Sequence, residues 1–286
     1  MILTASHTTT YLYAEPVSVC HTQVHLAPRA HPRQRVISHE LTISPEPAFL
    51  TTRTDYFGNE IGIFSVQESH QTLSINSWSE IELTPEEPPH AALTPPWEEA
   101  CDLENEFVFR SPFTKKTAAF ADYARASFTP RRPLLDAAFD LCRRIHREFR
   151  YDPRATTIST PVDEVLKHRV GVCQDFAHLM ISCLRSLELP ARYISGYLRS
   201  GENSVGAEAS HAWCALHCPG FGWIEFDPTN DAIPNEGHIT IAHGRDYSDV
   251  APVNGVALGG GEQMINVSVE VRPATLSGTI PPAHRI

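Results

Sequence analysis

The sequence predicts an α+β protein, with an N-terminal antiparallel β-sandwich followed by helices packed on a second antiparallel sheet. Three features predict it. Apolar residues alternate at two-residue spacing through the first 83 positions, and an acidic, Pro-rich stretch follows. The spacing then changes to the three-to-four step of helices before alternation returns.

In the first part, Tyr11 with Tyr13, Val24 with Leu26, and Leu41 with Ile43 have the period of half-buried strands. Ile61 with Ile63, Leu73 with Ile75, and Ile81 with Leu83 continue it. Pro28, Pro32, Pro45, Pro47 and Gly58-Asn59 separate these runs, and short strands divided by turns imply a sandwich. His21, His25, His31 and His39 are read as solvent-facing or singly hydrogen-bonded rather than as metal ligands. Pro85, Pro88, Pro89, Pro95 and Pro96 then stop helix and central strand alike. The expected organisation is a β domain over 1–83, a linker over 84–106 and an α+β domain over 107–286.

Beyond the linker, helical spacing marks 118–128 and 134–149. In the second, Leu134, Ala138, Leu141, Ile145 and Phe149 form one face behind Pro133, a first-turn residue. A third helix is expected over 173–187, with Phe176, Met180, Leu184 and Leu187 as its stripe and Pro190 closing it. Strands are expected at 192–198, 211–216, 223–226 and 264–271. The last is assigned to the sheet of the second domain.

The formal net charge of −11 disfavours phosphate-backbone binding, so no nucleic-acid partner is expected. No run approaches the ~20 apolar residues of a membrane span. The N-terminus lacks a basic, apolar leader, and seven scattered cysteines do not form a disulfide framework. Both point to a reducing, cytoplasmic setting with free thiols.

The chemistry concentrates in three segments. Gly171-Val172-Cys173-Gln174-Asp175 opens the third helix, and a thiol there meets unpaired N–H groups and the positive end of the helix dipole. Ser210-His211-Ala212-Trp213 and Gly222-Trp223-Ile224-Glu225-Phe226-Asp227-Pro228 flank a turn at His217-Cys218-Pro219-Gly220-Phe221. A hairpin centred near Pro219 sets His211 directly opposite Asp227, within hydrogen-bond reach. The carboxylate can then orient the imidazole, and the imidazole can take the proton of Cys173. Singly, Cys173 reads as a buried helix residue, His211 as a strand-end histidine and Asp227 as a turn residue. Together they read as a triad.

These segments resemble the bacterial transglutaminase-like family of papain-like cysteine enzymes. Phe149-Arg150-Tyr151, Tyr193-Ile194-Ser195-Gly196-Tyr197 and 244–252 are similar as well, and Leu26-Ala27-Pro28-Arg29 and Asp55-Tyr56-Phe57-Gly58-Asn59 resemble the β domain that precedes such catalytic domains. The resemblance implies a papain-like catalytic domain and a Cys-His-Asp triad at Cys173, His211 and Asp227. It also implies thioester chemistry on a peptide or other amide substrate. Hydrolysis is the expected outcome, with transamidation to an amine or a catalytically silent binding module as alternatives. Gln174, Tyr151 and Trp213 are further candidates for oxyanion or substrate contact. His178 points away from Cys173 on the helix. No EF-hand-like loop occurs, and Cys214 and Cys218 with His211 and His217 lack the second cysteine pair of a zinc site, so no metal or cofactor is expected.

Overall fold

The computed structural model describes residues 1–102, 105–199, 205–206 and 209–274. Its first strand, β1 (Ile2–Val24), organises the N-terminal half. It is followed by β2 (Gln34–Ser44), β3 (Phe49–Thr54), β4 (Glu60–Val66) and β5 (His70–Leu83). The early part of β1 pairs with β5, the late part with β4, and the ladder is irregular between Leu12 and Val17. Pro16 lies in that interval and has no N–H to give a ladder. β2 extends one wing beside β5 and β3 extends the other beside β4. Val17, Cys20, Val24, Phe64 and Val66 of one wing meet Ile43, Leu73 and Ile75 of the other in a shared core.

The C-terminus returns to this sheet. β12 (Val253–Gly259) and β13 (Gln263–Pro273) both pair with β1, along its late and early parts respectively. The segment 264–271, expected in the second domain's sheet, therefore belongs to the N-terminal one. Its alternation identified a strand but carried no information about its partner. Val269 and Val271, with Leu3, Ala5, Ile81 and Leu83, bury one face of this wing in the same core as the helices of the second half.

The second half begins with α1 (Ala118–Arg125), α2 (Leu134–Glu148) and α3 (Val162–His168), with the two-residue strands β6 (Arg150–Tyr151) and β7 (Val170–Gly171) around α3. Central to it is α4 (Cys173–Arg185), buried along nearly its whole length. Its Asp175, His178, Ser182 and Arg185 are buried along with its apolar residues, and α4 lies against β8 (Ala191–Leu198) and β9 (His211–Cys218). With β10 (Gly222–Phe226) and β11 (His238–Gly244) these form an antiparallel sheet in the order β10-β9-β8-β11. A one-turn helix, α5 (Tyr247–Val250), follows β11. At the far end of α4, buried Arg185 donates to the carbonyls of Phe109, Ala191 and Arg245 and to the hydroxyls of Ser111 and Thr114.

The stretch between the halves is fastened down. It makes 3-10 turns at Ala91–Leu93, Trp97–Ala100 and Glu106–Val108. The Trp97 indole donates to Thr129 O at 3.0 Å, and Thr94 Oγ1 accepts from Leu135 N–H at 3.3 Å.

β11 is an edge strand, and an open edge needs partners for its backbone. The N-terminal domain supplies them with side-chain amides. Gln34 accepts from Thr240 N–H at 2.8 Å and donates to Thr240 O at 2.7 Å. Asn59 accepts from His243 N–H at 3.0 Å and donates to His243 O at 2.9 Å. Residues three apart face the same edge because the β11–β8 ladder is bulged between Thr240 and Ala242. Gln34 and Asn59 are both almost fully buried. Replacing Asn59 by Leu strands the His243 N–H and C=O; replacing Gln34 strands the Thr240 N–H and removes the amide donor from Arg29 O at 2.7 Å, while Thr240 O keeps the Arg29 N–H at 3.1 Å, at ~1–3 kcal/mol for each unsatisfied group. Urea unfolding of Gln34→Leu and Asn59→Leu is expected to show ~2–4 kcal/mol lost in each. Changes below ~0.5 kcal/mol, as at ordinary surface sites, would show that the amides do not seal the edge.

Candidate active site

Cys173 is the first residue of α4. Just before it, Gly171 pairs with Tyr151 in the parallel β6–β7 ladder. Asp175 folds back over this start: its Oδ2 accepts from Val172 N–H at 2.8 Å and from Thr156 Oγ1 at 2.6 Å. A carboxylate at the third helical position thus caps the residue before the helix. A Cβ on Gly171 would lie 2.8 Å from Asp175 Cβ and Oδ2, so this close return requires glycine. Burial raises the Asp175 carboxyl above its usual range, although both hydrogen bonds oppose the shift.

The β9–β10 hairpin pairs Cys218 with Gly222 and Phe226 with Cys214. This register is centred on Gly220, one residue beyond the expected Pro219. His211 and Asp227 are therefore diagonal neighbours, not directly opposed. Because the partner shifts by two residues, both side chains stay on one face, and a diagonal pair is still within reach of an imidazole and a carboxylate. His211 Nε2 and Asp227 Oδ2 are 2.8 Å apart, and both side chains are completely buried.

Asp227 holds more than His211. Its Oδ2 also meets His238 Nε2 at 3.1 Å and accepts from Asn230 Nδ2 at 2.8 Å. Its Oδ1 accepts from the backbone N–H groups of Thr229 and Asn230 at 2.9 and 3.3 Å. Burial alone raises a carboxyl pKa, but His211 and His238 reverse that and hold Asp227 far below the usual carboxylate range. Burial likewise disfavours charge on His211; Asp227 and then Cys173 outweigh it and push the imidazole up to about 10. With Nε2–H given to Asp227, Nδ1 is the position left for a proton from Cys173. Nδ1 has no hydrogen-bond partner among the described residues. Contacts of this kind tighten when substrate arrives.

The structure brings Cys173, His211 and Asp227 together and separates the other candidates by position. Trp213 is fully buried, and its Nε1 donates to Glu225 Oε2 at 2.9 Å. It cannot serve as an oxyanion or substrate contact, because its donor is used and no face is open. It forms a wall instead, with ring centroids 5.9 Å from His211 and 5.2 Å from His238. Tyr151 and Gln174 are half-buried at the helix start. A Cβ on Gly206 would lie 3.0 Å from His211 Nδ1 and 3.6 Å from the Tyr151 hydroxyl, so both groups border Gly206. His178 stacks on Phe113 and Tyr193 and accepts from Tyr247 N–H at 3.2 Å, and burial pushes it down to about 3. Cys214 and Cys218 face the helix core, whereas His211 and His217 alternate to the other face of β9, so the four cannot converge.

His238 and Asn230 were missed by sequence reasoning. Asn230 lies three residues after Asp227, a local signal that was available; His238 gave none, since its role depends on how β11 returns. His211, Asp227 and His238 place one ligand atom each within 4.8 Å of one another. The shared Oδ2 already receives three hydrogen bonds, which makes this a buried hydrogen-bonded carboxylate more than a coordination shell. A cleft of about 350 Å³ lies on the outer face of β10, lined by Arg33, Glu86, Glu87, Trp223, Glu225 and Pro234.

Comparison with known proteins gives this geometry a family. A profile described as the bacterial transglutaminase-like N-terminal region matches residues 3–82, and one for the transglutaminase-like superfamily matches residues 119–228. An uncharacterized protein of Mycobacterium tuberculosis is 40% identical over 94% of this chain and 91% of its own length. The chain belongs to the bacterial transglutaminase-like family. A protein-glutamine gamma-glutamyltransferase of Pseudomonas aeruginosa is 32% identical, over 31% of this chain and 15% of that protein. A crystal structure from Cytophaga hutchinsonii, provisionally described as a cysteine protease, superposes with a TM-score of 0.75 at 22% identity, covering 99% of this chain and 93% of that one. It shows that this transglutaminase-like protein shares its fold, N-terminal sheet included.

The raised His211 makes stability depend on pH. An ordinary histidine titrates near 6.5, so the stabilisation is complete below about pH 6.5 and is lost as pH rises toward about 10. Asp227 contributes in the opposite sense, with stability present above about pH 4 and lost on acidification. In Asp227→Asn the alkaline loss is expected to shrink markedly. Urea unfolding at pH 6, 8 and 10 measures it; equal slopes in wild type and variant would mean that Asp227 does not set the imidazole's charge.

Proposed function

We propose that this protein is a cysteine-dependent amide-bond enzyme with Cys173 as nucleophile, His211 as general base and acid, and Asp227 as orienter. The observation that carries the reading is His211, held by Asp227 on one nitrogen and facing Cys173 with the other, at the N-terminus of a buried helix. Because Asp227 and Cys173 hold the imidazole in its charged form, the Cys173 proton rests on His211 Nδ1, and Cys173 Sγ attacks the carbonyl carbon of an amide. Backbone N–H groups at the start of α4 are the donors for the oxyanion, since the first helical N–H groups have no partners within the helix. The C–N bond then breaks, His211 gives its proton to the leaving amine, and the acyl group remains on sulfur as a thioester.

Water resolves the thioester in a peptidase or amidase: it loses a proton to His211, and the carboxylic acid leaves as the thiol is restored. A substrate amine resolves it in a transamidase. Hydrolysis is our first reading. Transamidation is kept as the second because of the similarity to the Pseudomonas protein-glutamine gamma-glutamyltransferase. A binding module of the same fold is disfavoured because none of the three residues is missing.

Incubation with short glutamine-containing peptides and activated amides, followed by acid quenching and intact-mass analysis, tests this. Wild type is expected to carry an acyl adduct on Cys173. His211→Ala is expected to form it ~10²–10⁴-fold more slowly, the usual contribution of a positioned general base. Adding excess primary amine separates the outcomes: amide product means transfer, free acid alone means hydrolysis. No adduct with any peptide or activated amide, on a folded protein, would favour the binding module.

A further inference from the structure

Arg33 precedes β2 in the N-terminal domain and reaches across to the catalytic sheet. One guanidinium nitrogen lies 3.1 Å from Glu225 Oε1, and the other donates to Pro234 O at 2.9 Å. Pro234 belongs to the loop that leads to His238. Glu225 is only 9% exposed and divides its carboxylate, one oxygen to Arg33 and the other to the Trp213 indole at 2.9 Å. Trp213 in turn packs on His211 and, edge to face, on His238. Its other side is closed by the absence of a side chain: a Cβ on Gly196 would lie 2.3 Å from Trp213 Cη2 and 2.2 Å from Ile239 O.

We propose that Arg33 is a positioning residue for His211, acting through Glu225 and Trp213, so that the N-terminal domain completes the active site. The inference rests on the proposed function above. The physical chain is short. A nearly buried carboxylate is costly unless paired. Without Arg33, Glu225 either turns toward the adjoining cleft and water or takes up a proton. In both cases the anion that anchors the indole N–H is lost. The indole wall then loosens, and the imidazole loses its fixed distance to Cys173. A displacement of ~1 Å at a reacting group can cost ~10² in rate. Among the charged groups facing this strut, Arg192 lies over the Trp223 ring at 4.4 Å, and it shares the field of Glu225 with His31 and Arg33.

The test is the rate of iodoacetamide alkylation of Cys173, mapped by mass spectrometry from pH 5 to 9, beside a urea melt of each variant. Cys101 is the exposed thiol and serves as internal reference. Arg33→Met is expected to slow Cys173 alkylation about tenfold near neutral pH and to shift its pH profile, within the ~10² range of misplacement. Arg33→Lys, which keeps the charge beside Glu225, is expected to restore most of the rate. The control Arg35→Met, whose arginine pairs with Glu82 at the surface, is expected to match wild type. The double variant Arg33→Met/Glu225→Gln is expected to be no slower than the slower single, because linked residues are non-additive. If Arg33→Met does not fold, Glu225→Gln carries the test, with the same slowing expected. Wild-type rate and profile in folded Arg33→Met, or in Glu225→Gln when that variant stands in, overturns the strut. Equal slowing by Arg35→Met, or no rescue by lysine, overturns it too. If wild-type Cys173 is itself no faster than Cys101, the proposed function fails instead.

Discussion

A carboxylate with no exposed surface must be compensated on every side, and Asp227 is such a group. Its two oxygens are met by His211, His238, the Asn230 side chain and two backbone N–H groups. Much of the local architecture follows from this requirement. The chain after Asp227 turns back at once, with the backbone groups of Asp227 and Ala232 bonded to each other, which brings N–H donors onto Oδ1. The same return leads toward β11 and so brings His238 to the carboxylate. His211 is then fixed in orientation, and with Nε2 taken by Asp227 its other nitrogen is left for Cys173 at the start of α4.

The two halves of the chain are not separable in this arrangement. β1 pairs with four strands, two of them from the last part of the chain, and the wing so formed closes the core that contains α4. On the other side, Gln34 and Asn59 close the edge of β11, the strand on which His238 begins. The N-terminal domain therefore touches the candidate site at two removes. It seals the sheet that carries the site, and it anchors Glu225 behind the wall on which His211 rests. Contacts of this kind tie the N-terminal domain to the half that carries the candidate site.

Much of this was legible in the sequence, for identifiable reasons. The helix at 134–149 is found as α2 (Leu134–Glu148) because its apolar face repeats over four turns. α3, with only seven residues and two buried positions, is too short to show a period. β3 is exposed along its length and so has no alternation to read. The trio of Cys173, His211 and Asp227 was legible because each lies in a local motif. The register that joins two of them was not, because the turn is centred on Gly220, one residue beyond Pro219, with Gly220 and Gly222 at positive φ. Trp213, expected near substrate, is behind the imidazole because it shares the face that the N-terminal domain covers. His238, Gln34, Asn59 and Arg33 act between segments distant in sequence, and no local pattern announces such contacts.

The central claim is that Cys173 and His211 form one reactive unit. It is tested most directly by comparing iodoacetamide labelling of Cys173 in wild type and His211→Ala across pH 5 to 9, with all seven cysteines mapped. The account predicts that Cys173 labels faster than the more exposed Cys101 in wild type, and that this advantage disappears when the imidazole is removed. Labelling of Cys173 that is slow in both proteins, or fast in both with the same pH profile, would contradict it.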